Sequence, residues 1–433
     1  MTKTAQPEMD ERLRALADAF DESRAMAVLR ALCAETLSGR GVGTPGHDLA
    51  TELVLTELRA LGLEPSRQTF PVAGVFRLDS PPVFTVKGPR LSGSLEHRRD
   101  YAEHPRSAPM YAAVEGPVAR WDGTPRTGTW TSIDRVPQGD AFARLAASLH
   151  VAGGLGLLTP QTPDASGFLT KRVIGDAPVE LPVIAVRSDH LAEMDGSTLR
   201  ALVPLRRGAV TGTNVIVVLP GSEPALSNRP VLVTAHYDGV GADPERHFPC
   251  AGDNASGTAV LLEAARTLVA QRFRAARPIV FAALDAEEVG ARGSRHHARS
   301  LVAAGYRPDV VNLDMAGKFN GAVAADLGPE TSTIRDVLDQ AGRMLGIPLA
   351  AGPVASDNRQ YASAGLPAVG LGLGAAHYHS PLDTPDRIEP SALRMAGRLL
   401  LVTVARLATD ATRETGHQKN LGHPGSQHNA NIA

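Results

Sequence analysis

Residues 8–36 and 46–63 carry Leu, Ala and Val at amphipathic-helix spacing, and the turn-rich segment LSGRGVGTPG separates the two stretches. The chain is therefore expected to open with helices. From about Phe70 the pattern changes to short β-rich runs broken by Pro and Gly, such as PPVFTVKG and GPVARW, which predicts a separate small sheet. DAFARLAASLHVAGGLGLLTP then predicts a helix feeding a buried strand, and LPVIAVRSDHLAEM a strand entering a helix, so the middle of the chain reads as a small α/β or β-rich insert. After TNVIVVLPGS the order becomes apolar strand, polar loop, helix, repeated. Strands are predicted at Val231–Ala235, Pro278–Leu284, Val310–Leu313 and Ala368–Leu371, with helices over Ser256–Gln271 and beyond Gly290. That alternation predicts an α/β fold with a mostly parallel central sheet flanked by helices, which binds ligands beyond the carboxyl ends of its strands. The tail from about Arg413 is polar and carries no pattern. The expected division is 1–70 helical, 71–208 insert, 209–412 main α/β domain and 413–433 tail.

At 433 residues the chain is long for one core, so a second domain or a large insertion is expected. Its 44 basic and 46 acidic residues nearly cancel and form no block of one sign. Nothing in that balance calls for nucleic acid or an anionic membrane as partner. No stretch approaches the apolar length of a membrane span, and the charged N-terminus lacks the apolar core of a secretory signal. Only Cys33 and Cys250 are present, too few for a disulfide framework, so a cytoplasmic location is expected. Cys250, three residues before Asp253, reads as a small buried thiol in a loop.

Five segments, AHYDG, GDNASG, LDAEEVG, VNLDM and YHSPLDT, put a histidine or carboxylate where a strand is ending. Two divalent metals need hard or borderline ligands, usually imidazoles and carboxylates, with one ligand shared. His236, Asp253, Glu288, Asp314 and His379 are the candidates, and Asp238 and Glu287 stand beside them as an orienting carboxylate and a general base. Any one of these segments alone is more often a solvated turn or a helix end; the ordered set is what carries weight. His236 and Asp238 alternate, so extended geometry points both to one side. Glu287 and Glu288 are adjacent and would diverge in extended chain, one toward metal and one toward a water. Small residues around Asp253 let the loop pass close to a metal, and Ser256 is placed to cap the following helix. Asp314 ends a strand so apolar that an unpartnered carboxylate there would be costly.

These segments, with DAEEVGARGS and ASDNRQYASAGLPAVGL, resemble the M28 family of zinc aminopeptidases over most of the chain. SGRGVGTPGHDLATELVLTELRALGLE resembles that family's N-terminal helical segment, and the insert resembles a protease-associated domain. The resemblance implies two Zn²⁺ ions per chain: His236 and Asp314 on one, Glu288 and His379 on the other, Asp253 bridging, Asp238 supporting His236 and Glu287 as base. His377 is the alternative to His379 in the segment HYHS; Tyr378, Pro381, Asp383 and Thr384 favour His379. The family often has a histidine where Asn358 follows Asp357, a departure that bears on substrate selection. A bridging hydroxide would attack the scissile carbonyl, Glu287 would carry the proton, and Tyr378 would steady the oxyanion or pack.

The expected activity is release of N-terminal residues from a peptide or small amide substrate, by a monomer or homodimer. Other readings of the same residues are an amidase, dipeptidase or carboxypeptidase acting on a specialised peptide or metabolite, a one-zinc glutaminyl cyclase, and a non-catalytic binding module. No GxSxG elbow follows a strand, which argues against a serine hydrolase.

Overall fold

The computed structural model describes residues 5–174 and 177–410, so the polar tail lies outside the described residues. Its larger sheet has eight strands. Their spatial order is Ser66–Leu78, Leu205–Leu219, Ile279–Leu284, Val231–His236, Asp309–Leu313, Ala368–Gly372, Val323–Leu327, Leu349–Ala351. The three pairings among Ile279–Leu284, Val231–His236, Asp309–Leu313 and Ala368–Gly372 are parallel, while antiparallel strands flank them on both sides. All four central strands are buried along their whole length, which accounts for their predominantly apolar sequences.

Alternate residues of these strands feed different cores. Val231, Val233 and Ala235 pack with the helices Glu22–Leu32, Pro45–Arg59, Ser256–Ala270, Ser332–Leu345 and Pro390–Thr409. Leu232 faces the other way, with Val280, Ala298, Leu301 and Tyr361, so Arg292–Ala303 and Asn358–Ser363 cover the second face. With both faces covered, polar side chains that follow the central strands collect at one edge. None of the described helices is long and apolar enough to cross a membrane.

The helical opening differs from the pattern read over 8–36. Two helices form, Ala5–Asp18 and Glu22–Leu32, because the Asp21 carboxylate accepts from the amides of Ser23 and Arg24 and starts a second helix. The next helix, Pro45–Arg59, is capped by the Thr44 hydroxyl, which accepts from the His47 amide.

A second sheet runs in the order Ser92–Ser94, Val83–Lys87, Thr198–Leu202, Val114–Arg120, Trp130–Ser132, Gly156–Gln161, Val183–Arg187, Tyr101–Glu103. The long strands Ser66–Leu78 and Leu205–Leu219 pair antiparallel, lead into and out of it, and continue into the larger sheet. Buried charges also join the two parts. The Arg98 guanidinium donates to Asp243 at 2.7 Å and contacts Glu103, and Lys171 Nζ lies 2.9 Å from the same Asp243. These counter-ions hold the Asp243 carboxyl far below its usual range despite its burial.

Candidate metal centre

His236 is the last residue of its strand, and Asp314 immediately follows Asp309–Leu313. The sheet thus sets two of the predicted residues side by side at its carboxyl edge. His236 Nε2 lies 3.3 Å from Asp253 Oδ1 and 3.5 Å from Asp314 Oδ1. His379 Nε2 lies 2.9 Å from Glu288 Oε2 and 3.3 Å from Asp253 Oδ2. His236, Asp253 and Asp314 form one group and Asp253, Glu288 and His379 a second, each with its ligand atoms within 4.8 Å of one another. Asp253 belongs to both, one oxygen toward each histidine.

The local backbone explains how a loop carboxylate reaches that central place. The Asp383 carboxylate accepts from the amides of Gly252 (2.7 Å) and Asp253 (3.1 Å), fixing the loop from below. Asn254 spans to the neighbouring strand end, donating to Leu313 O and accepting from the Met315 and Gly257 amides. Ser256 is the first helical residue rather than the cap. Its hydroxyl donates to Gly252 O and accepts from the Ala316 amide, so it pins the loop where capping the helix was expected.

Asp238 is fully buried. Its Oδ1 stands 3.4 Å from His236 Nδ1, and its carboxylate accepts from the amides of Glu287 (3.1 Å) and Glu288 (3.2 Å). Those two glutamates sit in a turn, with Ala286 at φ 58°, instead of the extended chain inferred from their adjacency. The turn is what lets both amides reach one carboxylate. Burial first, and the neighbouring carboxylates of Asp357, Asp314 and Glu288 next, carry the Glu287 carboxyl well above its usual range. Burial likewise raises Glu288 and Asp314.

Fit to metal rests on atoms left without partners. Nε2 of His236 and His379, Oε1 of Glu288 and Oδ1 of Asp314 are buried and make no aligned hydrogen bond. Buried polar atoms are ordinarily satisfied. Here imidazole and carboxylate lone pairs converge instead on common points, the donor set that suits zinc. His377 turns elsewhere: its Nδ1 contacts the Ser166 hydroxyl, and its Nε2 is 2.9 Å from the Arg387 guanidinium. His379 is the one of the HYHS pair that reaches the cluster. Tyr378 is half exposed and stacks on the His379 ring at 3.7 Å between centroids. Cys250 is buried and joins neither group.

Several residues that hold this arrangement had no sequence signal of their own. The fully buried Arg40 donates to the carbonyls of Tyr237, Leu32, Pro249 and Cys250, stitching the helical opening to two ligand-bearing loops. His47 stacks on Tyr237, with Nε2 2.8 Å from Asp285. Lys171, from the second sheet's part of the chain, reaches His379 directly. Its carbonyl O is 3.0 Å from His379 Nδ1, and its amide donates to His379 O. Only Asp383 could have been suspected, from its place in YHSPLDT. Asn358, expected to bear on substrate selection, is buried against Gly370 of the Ala368–Gly372 strand. Its neighbours Ser356 and Arg359 face the open space.

That space is a cavity of about 1500 Å³ between the two sheets' layers. Glu287, Glu288, Tyr378 and His379 form its floor at the metal cluster, and Phe142, Gln161 and Val173 line the opposite wall. Residues 214–404 match Peptidase family M28. The chain is 28% identical to "Aminopeptidase YwaD" of Bacillus subtilis (strain 168) over 389 residues, covering 86% of this chain and 81% of that protein. It is 25% identical to "Probable lipoprotein aminopeptidase LpqL" of Mycobacterium tuberculosis, with the same coverage. Its fold is that of a solved zinc aminopeptidase from Bacillus subtilis, at a TM-score of 0.70 and 20% identity, covering 91% of this chain and 97% of that one.

Proposed function

We propose that this chain, whose residues 214–404 match peptidase family M28, is an aminopeptidase that works with two zinc ions and Glu287 as its general base. The observation that carries this reading is the sharing of Asp253 between two three-residue ligand groups beneath one open cavity. His236, Asp253 and Asp314 would hold one ion, and Asp253, Glu288 and His379 the other. Zinc bound there would acidify a water and polarise the scissile carbonyl.

The chain's own residues do the remainder. Asp238 keeps the His236 ring in one tautomer through Nδ1 and, by accepting two amides of the following turn, fixes Glu287 relative to that ligand. Glu287 takes a proton from the attacking water and returns it to the departing amine. The half-exposed Tyr378 hydroxyl, held over His379 by stacking, is available to the tetrahedral oxygen. The free α-amine of a peptide is positive and finds carboxylates at the cavity floor, which supports exopeptidase action. A cytoplasmic setting belongs to the same proposal, as does the role of the second layer as a wall that limits substrate size.

Glu287→Gln tests the assignment. It should retain both zincs by metal analysis while turnover falls by about 10²- to 10⁴-fold, the usual contribution of one positioned proton carrier. Wild-type turnover in that variant would remove Glu287 from the mechanism.

A further inference from the structure

Apart from Glu287 and Glu288 at its floor, the cavity is lined by no carboxylate among the described residues, yet Arg106, Lys171, Arg172, Arg292, Arg295 and Arg359 all border it. Some of these cations are already engaged. Lys171 is bound to Asp243, Arg359 lies 3.3 Å from Asp326, and Arg106 lies over the Phe142 ring and donates to Ala177 O. Arg172, Arg292 and Arg295 make no ion pair among the described residues. Arg292 donates through Nε to Val289 O, and Arg295 through Nε to Gln360 Oε1, and the terminal nitrogens of both have no partner among the described residues.

The positive charge comes from both sides of the cavity. Arg292 and Arg295 start the helix that follows the Glu287–Glu288 turn, and Arg172 belongs to the opposing layer. Burial, then Arg172 and Arg106, push the His104 imidazole down to about 4, so the field is felt within the wall itself. Between low-dielectric walls such a field concentrates anions. A guanidinium offers paired N–H donors that match a carboxylate.

Resting on the aminopeptidase reading above, we infer that the cavity selects short peptides whose leaving portion carries a carboxylate. The α-amine lies at the acidic floor, and the chain beyond the scissile bond extends toward the arginines. A cavity of this volume has room for a di- or tripeptide, so a C-terminal carboxylate and an acidic side chain are both within the recognised chemistry.

The test begins by finding, with aminoacyl anilides, the N-terminal residue that the zinc-loaded enzyme releases fastest. No hydrolysis of any anilide or peptide would defeat the aminopeptidase reading, an outcome distinct from active enzyme that ignores substrate charge. With that residue fixed, four substrates are compared: its alanyl dipeptide with free carboxylate, the same dipeptide amide, an aspartyl amide and a lysyl amide. The carboxylate-bearing compounds are expected to exceed the neutral amide in kcat/KM by roughly tenfold, the worth of one charge-assisted paired contact, with the lysyl amide poorest. The free-carboxylate and aspartyl arms show which source of the charge is recognised.

The same ratio should appear in calorimetric binding to Glu287→Gln, where no turnover intervenes. It should fall toward 1 in Arg172→Gln/Arg292→Gln and between about 0.05 M and about 0.5 M salt. Equal kcat/KM for neutral and anionic substrates, or a preference that survives removal of both arginines, would overturn the inference.

Discussion

Replacing Lys171 by methionine should weaken the fold and, on the proposed two-zinc reading, metal binding at His379 together. Lys171 is buried; its ammonium lies 2.9 Å from Asp243 Oδ1 and donates to the carbonyls of Gly241 (2.9 Å) and Ala242 (3.2 Å). Methionine keeps the stem's length and removes the charge and every donor. Removing one partner of a buried ion pair costs about 3–5 kcal/mol. Asp243 would still hold the Arg98 guanidinium at 2.7 Å, so the expected loss is smaller, about 2–3 kcal/mol. The backbone of the same residue holds His379 by two hydrogen bonds, and outer partners of a metal-ligating histidine ordinarily tune affinity by about 10- to 100-fold. Denaturant unfolding in chelator reads the first effect without metal linkage. Zinc competition against a chromogenic chelator reads the second. Lost stability with unchanged zinc affinity would refute the route from Lys171 to His379, and wild-type behaviour in both would refute the buried-charge argument as well.

Chelation should lower the melting temperature and added Zn²⁺ restore it, because Asp253, Glu288 and Asp314 then face one another without a cation; with zinc at about 100 to 1,000 times its Kd the linkage contributes about 3–4 kcal/mol, and scans that coincide with and without chelator would contradict this. His297 supplies a pH dependence away from the metals. It is buried, with Nδ1 2.8 Å from the Tyr361 hydroxyl, and burial pushes its imidazole down to about 3. Between that value and the unfolded value of about 6.5 the unfolded chain binds the extra proton, so stability is full above about pH 6.5 and falls as pH drops toward about 3, by about 2 kcal/mol at about pH 5. His297→Gln should remove that slope when unfolding free energies are measured across the range; parallel profiles for the two proteins would disprove it.

The central strands were legible because they are buried on both sides, and burial on both sides writes itself as mostly apolar sequence in VLVTAH and IVFAAL. The residues that follow such strands were conspicuous for the same reason: a carboxylate or imidazole after an apolar run has few bland explanations when five recur in order. What the sequence did not disclose depends on backbone carbonyls. Arg40 matters through four carbonyl oxygens contributed by distant segments, and Lys171 through its own peptide group, so neither belongs to a pattern that residue types can carry. Ser256 and the Glu287–Glu288 turn differ from expectation in conformation though not in place. A hydroxyl at a helix start can accept from an amide of its own helix or from one of a neighbouring segment, and Ser256 accepts from Ala316; the amides that Asp238 gathers decide the shape of the turn. Asn358 differs in direction, since the side of a short helix that meets the sheet is set by packing against Gly370.

The antiparallel ribbon of Ser66–Leu78 and Leu205–Leu219 has a bearing on how such a chain could be shortened. Leu78 and Leu205 are partners in its register, so residues 79–204 are, in covalent terms, an overgrown hairpin loop that a tight turn could replace without disturbing a pairing of the larger sheet. Chemically the same segment is not dispensable, because the peptide group of Lys171 lies inside it and holds His379. A trimmed protein would keep His236, Asp253, Glu287, Glu288, Asp314 and His379 while losing the brace on His379. The segment that looks appended in sequence is thus structurally continuous with the candidate site through the Lys171 peptide group.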